Sequence, residues 1–245
     1  MNETKSSPYR GWEYADKGDY HQNLDPNWSY TPTYLRKMAF MRSQIQRLGR
    51  GARILDAGCG EGVLVEEFRN QGFQIEGLDL NYESDLVLRG SILEMPYEND
   101  SFDAVLLLDV FEHLGFAEQP IALLEICRVL KYDGLLIASI PNLAHLNSRF
   151  YFSFFGQLDR TDIERNHVGE RPFHENKKLL LDAGLHIEKI EGVTLTVPFL
   201  YRQIICRKPA WFRWLHDLIE PLALPALAML NIFVCRKKRM MRSSS

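Results

Sequence analysis

Ile54-Leu55-Asp56-Ala57-Gly58-Cys59-Gly60-Glu61-Gly62 is the stretch that decides the fold. A short apolar run, Arg53 to Asp56, reads as a strand. Three alternating glycines follow, and Val63 to Asn70 then reads as a helix that ends before Gly72. Glycine suits such a turn because a Cβ would hold a ligand away from the backbone, and because the turn needs unusual dihedrals. A second strand, Gln74 to Leu80, contains Gly77-Leu78-Asp79, with Asp79 about twenty residues after the first glycine. A carboxylate at that point accepts hydrogen bonds from both ribose hydroxyls of a nucleoside. Together the two features predict an adenosine-containing ligand at the carboxyl ends of the strands.

Working outward, strands and helices alternate. Ala104 to Leu108 is an apolar run of the kind buried on both faces of a parallel sheet. Pro120 opens a helix to about Leu130, Asp133-Gly134 turns the chain, and Leu135 to Ile140 is another strand. Tyr34 to Leu48 is apolar at helical spacing. Asn176 to Ala183 reads as a helix stopped by Gly184, and Leu185 to Val193 as a strand. The expected fold class is α/β: a Rossmann-like, doubly wound, mostly parallel sheet with an antiparallel last strand, Asn231 to Cys235, and helical or irregular additions. Asn142 to Arg171 reads as one long irregular loop. The expected division is an N-terminal arm at 1–33, rich in Tyr and Trp, a core at 34–198, an apolar helical segment with the last strand at 199–235, and a basic tail at 236–245.

The bulk numbers set limits. At 245 residues, 46% of them hydrophobic and 25% charged, the chain fits one large α/β domain with embellishments. A formal net charge of −3 gives no case for a nucleic-acid partner. Cys59, Cys127, Cys206 and Cys235 are far apart and form no CxxC pair. That and the polar N-terminus lead to the expectation of a reducing, cytoplasmic setting.

Asp56 bears on which ligand binds. A dinucleotide would put its pyrophosphate at the helix N-terminus, where a carboxylate just before the glycines repels it. S-adenosylmethionine instead carries a sulfonium and an ammonium, which Asp56 attracts. Here the sequence resembles a known family. ILDAGCGEG (54–62) followed by GLDL (77–80) looks like motifs I and II of class I S-adenosylmethionine-dependent methyltransferases. EMPYENDSFDAVLLLDVFEHL (94–114) resembles the stretch around their fourth strand, and GLLIASIPN (134–142) their fifth. The likeness spans roughly residues 35–195 and points to the type 11/12 group, which includes the ubiquinone-pathway O-methyltransferase. It implies S-adenosylmethionine as cofactor. Gly58, Gly60 and Gly62 would line its methionine part, with Asp56 and Cys59 beside them. Asp79 and the adjacent Leu80 would take the ribose end, Ser91 and Ile92 would flank adenine, and Asp109 would lie beneath the methionine part. The group usually has an acid where Ser91 stands.

Methyl transfer to a hydroxyl needs alignment and removal of a proton. His113, in Asp109-Val110-Phe111-Glu112-His113, and His167, in the long loop, are the candidate bases. His113 can equally pack beside the cofactor, and His167 can equally order its loop. With Glu112 they offer metal-binding side chains, but no spacing matches a known ligand set, so no metal is expected. Tyr20-His21 is read as closing over the cofactor or as ordinary packing.

Residues 199–235 have three readings: core packing, peripheral membrane contact extending to 242, or a span. Pro221 and Pro225 argue against the span. The function expected is methylation, most simply of a hydroxyl on a small metabolite, a glycan sugar, or a lipid or quinone headgroup. The alternatives are an NAD(P)-dependent oxidoreductase and a non-catalytic, membrane-associated protein that binds S-adenosylmethionine. Oligomeric state is not legible.

Overall fold

The computed structural model describes residues 24, 26–158 and 167–238. Within them the helices are α1 (Thr31–Leu48), α2 (Val63–Asn70), α3 (Glu118–Val129), α4 (Leu146–Phe155), α5 (Phe173–Asp182) and α6 (Pro209–Ile219). The strands are β1 (Arg53–Ala57), β2 (Gln74–Asp79), β3 (Val87–Arg89), β4 (Phe102–Leu108), β5 (Leu130–Pro141), β6 (Leu185–Leu195) and β7 (Ala228–Lys237). They form one seven-stranded sheet in the order β3-β2-β1-β4-β5-β7-β6. β1 to β5 run parallel, and β7 is antiparallel to both β5 and β6. The α/β class and its antiparallel last strand are as the sequence implies.

Alternation along the strands feeds two apolar layers. Ile54, Ile75, Ala104 and Leu106 face α1 and α2, where Tyr34, Met38, Met41, Ile45, Val65 and Phe68 cover them. Leu55, Leu78, Val105 and Leu107 point the other way, toward Ala122, Leu123 and Ile126 of α3 and Leu180 of α5. Strand order reverses between β1 and β4, so a crevice opens beyond the carboxyl ends of those strands.

Several boundaries differ from the sequence reading. α1 begins at Thr31, across the expected 33/34 division, with Pro32 in its tolerated first turn. β7 begins at Ala228 and continues through Lys237, so the first residues of the expected basic tail are sheet; pairing with β5 and β6 on both sides extends it. Asp133-Gly134 lies inside β5, at a register shift that sets Ala104 opposite Leu135, with Asp133 left-handed at φ +62°. The segment expected to be irregular holds α4, whose Leu-Asn-Ser-Arg-Phe-Tyr-Phe-Ser-Phe-Phe has no polar stripe to betray a helix. Its start is fixed by His145, whose Nδ1 accepts from the Ser148 amide and contacts Thr196 Oγ1 at 2.8 Å. The 199–227 segment is a π-turn at Tyr201–Ile205, then α6, then a 3-10 turn at Glu220–Leu222. No helix among the described residues is long and apolar enough to cross a membrane. Most of the N-terminal arm, with Tyr20-His21, and residues 239–245 of the tail lie outside the described residues.

Candidate functional site

A cavity of about 370 Å³ occupies the crevice. β1 delivers Asp56 to its floor, buried by the packed sheet on either side. Asp56 Oδ1 has no hydrogen-bond partner among the described residues. Burial, and then the charge of Asp79, raise this carboxyl to about 7, with Lys37 pulling the other way. A buried acceptor of this kind suits a cationic ligand group.

The glycine turn works for two separate reasons. Gly58 has φ +77°, and a Cβ there would lie 2.4 Å from Val110 Cγ2, so packing requires glycine. Gly60 has φ +56° and faces open space, with no atom within 4 Å of where a Cβ would stand. That is a cradle a side chain would fill. Gly62 does not line the cavity; it starts α2, one step behind the wall. Cys59 lines it, but burial and then Asp56 keep its thiol well above the ordinary range, which leaves no thiolate nucleophile.

β2 ends at Asp79. Its Oδ2 accepts from the Gly60 amide at 2.9 Å, and its Oδ1 from the Asn81 and Tyr82 amides at 2.8 and 3.2 Å. Three of its roughly four acceptor positions are thereby engaged, and the carboxylate locks the two loops together while keeping capacity on Oδ2 for a ligand. Leu80, Ile92 and Leu93 give an apolar wall suited to a flat ring, and Ser91 stands among them. Ser91 Oγ accepts from the Leu93 amide at 3.1 Å, so it also holds its own turn.

β4 leads straight into Asp109, left-handed at φ +53°. The sequence reading placed this carboxylate beneath the ligand but did not find its partners. Lys37 of α1 forms an ion pair with Oδ2, Tyr30 donates to the same oxygen at 3.0 Å, and Ser139 donates to Oδ1. Burial works to raise the Asp109 carboxyl; Lys37, Ser139 and Tyr30 outweigh it and hold it below the ordinary range. The available signal was a lysine on the apolar face of α1, between Tyr34, Met38 and Met41.

His113 lies on the short 3-10 turn Phe111–His113 and lines the cavity. His167 does not reach the cavity; it packs edge-on against the His113 ring at 4.8 Å and lies 3.3 Å from Glu170 Oε1 through Nδ1. Two buried contacts bring these distant segments together. Gly169 donates its amide to Glu112 O, and Gln119 Nε2 bonds both Phe111 O and Gly169 O. A Cβ on Gly169 would sit 2.0 Å from Leu114 O, so only glycine permits that approach. Neither Gln119 nor Glu170 was singled out from the sequence. Ligand atoms of Glu112, His113 and His167 all lie within 4.8 Å of one another. His174 packs on Phe173 and does not line the cavity.

Residues 55–138 match the family model described as a methyltransferase domain. Those residues form a methyltransferase domain of the type 11 group, and the sequence around them is similar to S-adenosylmethionine-dependent methyltransferases. The chain is 27% identical over 144 residues to the ubiquinone biosynthesis O-methyltransferase of Haemophilus ducreyi, covering 50% of this chain and 60% of that protein. A Mycolicibacterium smegmatis protein named as a probable S-adenosylmethionine-dependent methyltransferase is 30% identical over 169 residues, 63% of this chain and 62% of that one. The chain thus spans less than two thirds of either relative. Among solved structures, the 1,6-didemethyltoxoflavin-N1-methyltransferase of Burkholderia thailandensis, bound to S-adenosylhomocysteine, shares the fold of the methyltransferase domain. The TM-score is 0.55 at 16% identity, over 93% of this chain and 85% of that one. A methyltransferase of Archaeoglobus fulgidus does so with a TM-score of 0.52 at 18% identity, over 92% and 98%.

Proposed function

We propose that this chain binds S-adenosylmethionine in the crevice and transfers its methyl group to a hydroxyl oxygen of a small metabolite, a glycan sugar, or a lipid or quinone headgroup. The observation that carries the reading is the pairing of a cationic-ligand floor, Asp56, with a histidine on the same cavity wall, His113. When bound, the cofactor supplies a methyl group already activated by its sulfonium. Asp56 attracts the ammonium, Gly60 leaves room for the methionine part, Asp79 Oδ2 takes a ribose hydroxyl, and Leu80, Ile92 and Leu93 cover the adenine. His113 takes the acceptor's proton as the oxygen–methyl bond forms. His167 lies behind it; a proton on its Nδ1, donated to Glu170, orients the ring that supports His113. The name of the Haemophilus relative supports oxygen as the acceptor atom.

A second reading is favoured by Glu112, whose Oε2 is buried with no partner among the described residues. With His113 and His167 it offers a seat for a divalent cation, which would bind the acceptor oxygen directly. Cytoplasmic work is supported by the spacing of Cys59, Cys127, Cys206 and Cys235, which lie far apart in the sequence and form no CxxC pair. The test is calorimetric titration with S-adenosylhomocysteine and with NADH, repeated on Asp79→Ala, followed by a screen of hydroxylated acceptors with and without chelator. Binding of S-adenosylhomocysteine alone, weakened by the substitution, supports the reading. Binding of NADH, or of neither, removes it, and loss of turnover in chelator selects the metal form.

A further inference from the structure

Three segments that the cavity does not use meet on one face. α4 presents Phe154 and Phe155 to solvent, the bend before the π-turn presents Phe199, and α6 presents Trp211, Trp214 and Leu218. They are joined: Phe199 packs edge-on against Phe150 at 5.3 Å, Arg202 lies over Tyr151 at 6.0 Å, and the π-turn packs on α6. Trp211 is 76% exposed, Phe154 69% and Leu218 67%. Soluble chains rarely leave a contiguous apolar face of this kind to water.

Charge around the face has one sign, although the whole chain is acidic. Within 142–158 and 197–219 the basic residues are Arg149, Arg202, Arg207, Lys208 and Arg213, and Asp217 is the sole carboxylate. A second copy docking on this face would bring those cations against their own kind. Lys208 lies over the Trp211 ring at 5.5 Å, which places cation and indole at one level. Indoles beside cations, over an apolar stripe too short to span, match an interfacial helix.

We infer that this face, formed by α4, the 199–205 bend and α6, docks on an anionic lipid surface. Trp211, Trp214 and Phe154 enter the boundary between headgroups and acyl chains, and Arg207, Lys208 and Arg213 meet phosphates. The docked face also reaches the cavity through α1. Arg36 pairs with the buried Glu220 just after α6 at 3.0 Å, and its neighbour Lys37 pairs with Asp109 on the cavity wall.

The test uses the full chain, sedimented with vesicles of phosphatidylcholine alone and of equal parts phosphatidylcholine and phosphatidylglycerol. Binding is expected on the anionic vesicles alone, weakened by salt, with tryptophan emission shifted to the blue. Trp211→Ala with Trp214→Ala should lower partitioning about tenfold or more, since two buried rings are lost. Arg207→Glu with Lys208→Glu should do likewise. All four side chains are on the surface, and circular dichroism checks that the variants fold. Asp79→Ala should keep full vesicle binding, so failure of the cofactor reading is distinguishable from failure here. The inference is overturned by no binding to either vesicle, by equal binding to both, or by a dimer in light scattering that the double tryptophan variant dissociates.

Discussion

Lys37, nearly two helical turns into α1, reaches across the crevice to neutralise Asp109 just past β4. The contact fixes α1 over the cavity and sets the charge of its wall. Lys37 has 6% of its side chain exposed and Asp109 21%, so the pair is only partly screened by water.

Removing one partner strands a carboxylate. Lys37→Met should destabilise the fold by about 2 kcal/mol, below the full cost of breaking a buried pair because Asp109 keeps some exposure. The double variant Lys37→Met with Asp109→Asn should recover part of the loss. Urea unfolding of the three variants checks both; a double variant less stable than either single one would refute the pairing's role.

Asp56 predicts a pH dependence. Its folded pKa of about 7 lies above the ordinary 3.8, so the folded protein holds more protons than the unfolded chain between those values. Its contribution to stability therefore falls as pH rises through that window and is level above it. A cationic ligand prefers the ionised form, so S-adenosylhomocysteine affinity should rise from about pH 6 to about pH 8, with proton release on binding. Asp79 and Lys37 are the charged groups acting on Asp56. Calorimetry in buffers of different ionisation enthalpy measures the release, and Asp56→Asn should abolish it.

The glycines should separate structure from ligand space. Gly58→Ala forces a Cβ against Val110 and should cost about 1–3 kcal/mol in stability. Gly60→Ala meets no atom of the protein, so its stability cost should stay near 1 kcal/mol, from the left-handed backbone alone. Its S-adenosylhomocysteine affinity should nonetheless drop sharply. Paired melting and titration curves test the distinction.

The histidine pair should divide kinetically. His113→Ala should lower kcat by about 10²–10⁴-fold, as expected for loss of a proton acceptor, with KM for the cofactor little changed. Glu170→Gln, which touches His167 and not the cavity, should lower kcat less and shift the acidic limb of the pH–rate profile. An unchanged profile would leave Glu170 a purely packing residue.

Much of the site was legible because it is local. Asp56, the glycines and Asp79 lie on strand ends whose period and turn chemistry fix their positions, and the apolar runs of β4 and β5 could only be buried strands. The elements missed were those whose stability comes from elsewhere. α4 lacks an amphipathic pattern and is held by the His145 cap on Thr196, and β3 is three residues long, made by its register with β2.

The sequence alone determined the alternation of strands and helices that implies a mostly parallel sheet, and the seats of Asp56, the glycines and Asp79 at strand ends, because each follows from spacing along one segment. The partners of those residues needed the folded chain. Lys37 meets Asp109, Glu170 meets His167, and α4 meets the 199–205 bend only after the sheet has stacked its helices. Such contacts join residues far apart in the chain, and no local periodicity records them.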